Sequence, residues 1–134
     1  MIKRKVATIV FYDDNSFIIQ DRREISKWGE DYGFFGGAIE QNETPEQAIT
    51  REIKEELNLE IKDFQLFKSD VKFTKELHGN VERNVFISKM PNQSDLHVTE
   101  GNIKLIPREN ISPLKMVDGD LDLLREINNY LNKS

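Results

Sequence analysis

Cysteine is absent from the chain. That excludes a disulfide framework, a thiolate metal site and a thiol nucleophile, and it fits a reducing compartment. The expected location is cytoplasmic. Long apolar runs are missing too. The longest stretch near the start, Val6 to Phe11, falls far short of the roughly 20 residues that a membrane-spanning helix needs. No membrane partner is expected, and the opening Met-Ile-Lys-Arg-Lys, followed by a strand-like run, does not read as a signal peptide. Positive charge is scarce: 19 Lys and Arg stand against 24 Asp and Glu, a formal net charge of −5. The basic residues are scattered and form no tract, which argues against a duplex nucleic-acid partner. An acidic protein can still handle polyphosphates if divalent cations bridge its carboxylates to the phosphates. Repeats, low-complexity tracts and linkers are also lacking. The 134 residues therefore read as one domain, 1–134, long enough for a core without staples.

What is present divides into strands and two helices. Lys5 to Tyr12 is rich in β-branched and aromatic residues, Asp13-Asp14-Asn15 is a turn signal, and Ser16 to Gln20 resumes the pattern. Lys5 to Gln20 is thus expected as a hairpin. Asp21 to Tyr32 is polar and loop-like, with Trp28 expected to cap the core rather than stack on a base. Gly33-Phe34-Phe35-Gly36-Gly37 is read as a glycine loop, and Ala38 to Glu40 as a short strand leaving it. Further strands are expected at Leu59 to Lys68, Val71 to Glu76, Val81 to Lys89 and Ile103 to Ile106. A closing helix is expected over Asp120 to Leu131, with Leu121, Leu124, Ile127 and Leu131 on one face and Asp120 as a candidate N-cap. Strands mixed with two helices suggest an α/β class, with helices packed on a mixed sheet.

The central helix carries the strongest signals. Thr44 suits the N-cap, Pro45 the first turn, and Gln47 completes a capping box. Ile49, Ile53 and Leu57 mark its buried stripe, and Asn58 falls at the left-handed position that ends a helix. On the same helix Glu52, Glu55 and Glu56 share one face within roughly 100°. Like charges at these spacings cost a few tenths of a kcal/mol per pair. A solvated acidic face is the plain reading. Yet three clustered carboxylates after a glycine-rich segment are also the oxygen ligands that hard divalent cations prefer.

The stretch Gly37 to Leu59, GAIEQNETPEQAITREIKEELNL, resembles the Nudix box. Gly37, Glu43, Arg51, Glu52, Ile53, Glu55, Glu56 and Leu59 fall in register with it, and Asn58 stands where the family has glycine. The resemblance implies an α/β/α sandwich with a mixed sheet between helices, and a Mg2+-dependent hydrolase of MutT-like type, with Mn2+ able to substitute. It implies Glu52, Glu55 and Glu56 as metal ligands with the Gly37 carbonyl. Arg51 and Glu43 would orient these carboxylates. Glu100, before Gly101, resembles the place where MutT-like members keep a further carboxylate, so it is a candidate ligand or general base beside Glu52 and Glu55. A simple loop charge is the equal alternative.

Weaker substrate-side candidates complete the reading. Arg22 and Arg23 could reach phosphates or be a solvated pair. Phe35 stands where many members have proline; it could stack on a base, although packing under the glycines is favoured. Asp118 could reach the pocket. His78 and His97 are isolated surface residues. The expected reaction is cleavage of a phosphoanhydride in a nucleoside diphosphate derivative, with (d)NTP pyrophosphohydrolysis first. The alternatives are an NDP-sugar or dinucleoside polyphosphate substrate, or a non-catalytic nucleotide-binding domain. The partner is a small-molecule nucleotide, and the oligomeric state is open, a dimer included.

Overall fold

A computed structural model describes residues 1–133. The strands are β1 (Ile2–Tyr12), β2 (Ser16–Asp21), β3 (Tyr32–Gly33), β4 (Phe35–Ala38), β5 (Phe64–Thr74), β6 (Gly79–Lys89) and β7 (Asn102–Pro107). The helices are α1 (Pro45–Leu57) and α2 (Asp120–Asn132). All seven strands share one mixed sheet, with the path β3-β2-β1-β6-β5, β4 pairing β1 and β7 pairing β2. Side chains alternate across a strand, so β1 feeds two cores. Ile9 and Phe11 pack with Ile49, Ile53 and Leu57 under α1, while Val10 packs with Leu123, Leu124 and Ile127 under α2. This is the expected α/β/α sandwich.

The ends of α1 form as the sequence dictates. The Thr44 hydroxyl accepts from the Gln47 amide at 3.1 Å, and the Gln47 side chain accepts from the Thr44 amide at 2.9 Å. Asn58 takes φ 51°, ψ 40°, and its amide donates back to the Lys54 carbonyl. In α2 the N-cap is Gly119 rather than Asp120, and Leu123 joins the buried face while Leu121 is only half-buried.

Three expected elements differ. The hairpin is open: β1 and β2 pair only at Phe11–Ile18 and Tyr12–Phe17, after which β1 turns to β4 and β6 and β2 to β7. The strands expected at 59–68 and 71–76 are one strand, β5, with a register shift between Leu66 and Lys68. Ser69-Asp70 reads as a break by composition, but both side chains are used across the ladder: the Ser69 hydroxyl donates to Asn84, and Arg83 grips Asp70.

The glycine run is itself a strand. Gly36 faces Thr8 and Gly37 faces Ala7 on β1. Gly36 has φ 137°, and a Cβ there would lie 2.1 Å from the Ala7 carbonyl oxygen. No L side chain fits without parting the strands, so Gly36→Ala should lower the urea midpoint by the equivalent of at least ~2 kcal/mol. A wild-type midpoint would refute this close approach.

Candidate functional site

β4 and α1 meet at the acidic end of the helix. Glu56 is buried on the inner side of α1, and its Oε1 accepts from the Gly36 amide at 2.9 Å. Burial, helped by the charges of Glu52 and Glu100, raises its pKa to about 8 against the pull of that amide. Glu52 lies against Gly37, where a Cβ would sit 2.8 Å from the carboxylate carbon. Only glycine lets the strand and this carboxylate come so close. Glu55, three-fifths exposed, leans towards Arg51 at 3.5 Å.

Arg51 organises the outer rim. Its Nε and Nη2 donate to Glu43 at 2.8 and 3.0 Å, its Nη1 to Glu52 at 2.8 Å, and its Nη2 also to the Ala38 carbonyl. The Arg51 guanidinium, with the Glu40 backbone amide, holds the Glu43 carboxyl down at about 2. Arg51 and Glu43 thus bind one another beside Glu52 and Glu55.

Glu100 arrives from the far side of the chain. Thr99 hangs on the end of α1: its amide donates to the Glu56 carbonyl at 2.9 Å and its hydroxyl to the Glu55 carbonyl at 2.8 Å. The structure thus places Glu52 and Glu100 each near enough to Glu56 for their charges to act on it. Among the described residues, however, no three acidic or histidine side chains form a finished metal cage. In place of a cage, Glu52 and Glu55 lean on Arg51. The donor set still suits a hard divalent cation, since it consists of carboxylate oxygens.

Beside this cluster lies a cleft of about 540 Å³. It runs from Gly36 and Gly37 past Arg22, Glu30 and Trp28 to Arg83, Asp118 and Asp120. Arg22 faces the cleft, held by Gln20 at 2.6 Å and Glu30 at 3.4 Å. Arg23 does not line it; it pairs with Asp21 at 2.6 Å and lies over the Tyr32 ring, beside a separate surface hollow. Phe35 is corrected as a substrate-side candidate: it is fully buried in the α1 core and cannot stack on a ligand. Trp28 is corrected in the other direction. It is 54% exposed at the cleft rather than capping the core. Asp118 lines the cleft.

The sequence reading missed Gln20, Glu30, Arg83 and the buried position of Asp120. A glutamine closing the apolar run Phe17-Ile18-Ile19 was the one visible signal. Glu30 accepts from the Ser26 hydroxyl at 2.5 Å and the Trp28 amide at 3.1 Å. Burial opposes its charge, but these hydrogen bonds outweigh it and keep its pKa below the usual range. Asp120 accepts from the Phe34 amide at 3.2 Å, and burial raises it to about 7.

A carboxyl raised from 3.8 to about 7 binds its proton more tightly in the folded state. The stability it confers is complete below pH ~4 and is lost as pH rises through ~7. The urea midpoint should therefore fall between pH 5 and pH 8, and fall less in Asp120→Asn, whose amide oxygen still accepts from Phe34. An identical fall in the variant would sink the assignment.

Comparison with known proteins agrees with this geometry. The family model for the NUDIX domain matches residues 1–126. Over 69 residues the chain is 36% identical to the 8-oxo-dGTP diphosphatase of Escherichia coli (strain K12), covering 51% of this chain and 54% of that protein. Over 64 residues it is 38% identical to the Proteus vulgaris protein of the same name, covering 46% and 57%. The matched region thus spans a little over half the length of these curated relatives. In fold it is similar to the E. coli ORF135 protein, with a TM-score of 0.78 at 19% identity, covering 99% of this chain and 94% of that one. The MutT NUDIX hydrolase of Burkholderia pseudomallei gives 0.76 at 17%, covering 92% and 97%. Because the family model spans almost the whole sequence and the box residues meet at β4 and α1, the chain belongs to the Nudix family.

Proposed function

We propose that this chain hydrolyses a phosphoanhydride bond of a nucleoside diphosphate derivative, and that (d)NTP pyrophosphohydrolysis is its reaction. The observation that carries the reading is the placement of Glu52 and Glu56 against the glycine strand, with the charge of Glu100 within reach of Glu56, beside a cleft large enough for a nucleotide. The partial likeness to two 8-oxo-dGTP diphosphatases supports a nucleoside triphosphate substrate.

Glu52, Glu55, Glu56 and Glu100, with the Gly37 carbonyl, would hold Mg2+ or Mn2+. When bound, the metal supplies positive charge to the phosphate oxygens and acidity to the attacking water. Arg51 holds Glu52 in place, and Arg22 faces the phosphates from the cleft wall. The water oxygen bonds to one phosphorus of the α–β anhydride, the bridging P–O bond breaks, and the departing half, nucleoside monophosphate or pyrophosphate, takes the electron pair. Glu52, Glu55 or Glu100 receives the water's proton. Most of the catalytic effect in such a reaction is positioning and charge stabilisation. Trp28 supplies an aromatic face beside the cleft for the base.

A binding-only domain is the second reading. What favours it is the lean of Glu52 and Glu55 on Arg51 in place of convergence with Glu56. Hydrolysis of a panel of nucleotides, NDP-sugars and dinucleoside polyphosphates separates the two. Turnover should require millimolar Mg2+ and rise towards alkaline pH. Glu55→Gln and Glu56→Gln should each lose at least about a hundredfold in kcat/KM. Full activity in both would refute the metal assignment, while nucleotide binding without turnover would establish the second reading.

The chain has one tryptophan, so its fluorescence reports on the cleft. Nucleotides should change Trp28 emission and inorganic pyrophosphate should not. An equal response to both would remove Trp28 from base binding.

A further inference from the structure

Gln20 is a polar residue at the end of an apolar run. Phe17, Ile18, Ile19 and Gln20 are all fully buried on β2. A buried amide without partners costs on the order of 1–3 kcal/mol, but both ends of this one are used. Its Nε2 donates to the Glu100 backbone carbonyl at 3.0 Å, and its Oε1 accepts from Arg22 Nη1 at 2.6 Å. Both partners belong to the candidate site.

Glu100 is strung between two fixed points. On one side Thr99 is bonded to the last carbonyls of α1. On the other, Gly101 takes φ +70° and lies so close to β2 that a Cβ would sit 2.4 Å from the Asp21 carbonyl oxygen. Gln20 fastens the carbonyl between these anchors. Arg22, its second partner, is held on the other side by Glu30 and lies near enough to Glu56 for its charge to favour that carboxylate. A single side chain therefore fixes the backbone that carries Glu100 and an arginine of the cleft. A leucine would complete the apolar run equally well and fix neither.

We propose that Gln20 is a positioning residue of the hydrolytic site, setting Glu100 and Arg22 against the Glu56 end of α1. The inference rests on the metal-binding role proposed for Glu100. Gln20 touches no substrate itself; it acts through the groups it holds, as outer partners of metal ligands do.

Two variants separate its two bonds. Gln20→Met keeps the length and loses both. Gln20→Glu keeps the partner of Arg22 and places an acceptor against the Glu100 carbonyl. Mn2+ affinity of the nucleotide-free protein, kcat, KM and melting temperature are measured for each. Both variants should weaken Mn2+ binding about tenfold and lower kcat by about 10–100-fold. Gln20→Met alone should also raise KM, since only it releases Arg22. In a Glu100→Gln background, Gln20→Met should add less than about threefold to the losses in Mn2+ affinity and kcat, because the group it positions is already disabled.

A lowered melting temperature with wild-type Mn2+ affinity and kcat would overturn the proposal and leave Gln20 a structural residue. Full additivity with Glu100→Gln would overturn it as well. If Gln20→Met fails to fold, Gln20→Glu carries the test. A wild-type protein that neither binds Mn2+ nor turns over any nucleotide would refute the hydrolase reading itself, and this inference with it.

Discussion

The hydrogen bond from the Gly36 amide to Glu56 ties a strand of the sheet to the acidic end of a helix. It forms only because β4 presses against β1 closely enough to exclude a side chain at Gly36, and because α1 lays Ile49, Ile53 and Leu57 on the sheet beneath. The apolar stripe sets the depth of the helix. The glycines set the distance of the strand. Between them a carboxylate is drawn out of water and held beside two others, which no arrangement chosen for stability alone would do. Arg51 at the rim and Thr99 at the helix end then fix the neighbouring carboxylates to this point.

Much of α1 could be read in advance because its signals are local. Capping box, proline, apolar stripe and Asn58 all lie within one helix and its ends, and each makes its contact within a few residues. The Glu52, Glu55 and Glu56 face was legible for the same reason, since helical spacing alone places it. The strands were less legible because pairing depends on distant partners. β1 spends little of its length on its hairpin neighbour and most on β4 and β6, and nothing within Lys5–Gln20 states that.

The site was legible where the box covers it and poorly so elsewhere. Trp28 turned outward and Phe35 packed inward, since an aromatic residue in a loop-like segment gives little sign of which side of the sheet it will meet. Arg22 and Arg23 are adjacent and chemically alike. Both lie in the turn just past β2, where one bonds Gln20 at the cleft and the other folds back onto Asp21. Asp70 fell between two expected strands because its partner, Arg83, lies on the next strand.

At the far end of the molecule Arg108 accounts for one more property. It donates to the Asp13 carbonyl and to the side chains of Asn128 and Asn132, so the last turns of α2 are riveted to the β1–β2 turn. The first turn of α2 is pinned by Asp120 to the Phe34 amide. The cleft wall that α2 contributes is therefore tied to the rest of the fold at both ends of the helix. The segment before α2 is moored to β3 through the Lys115 carbonyl and the Val117 amide. The helix and the segment before it therefore enter the cleft on separate attachments, the helix through its two ends and the segment through β3.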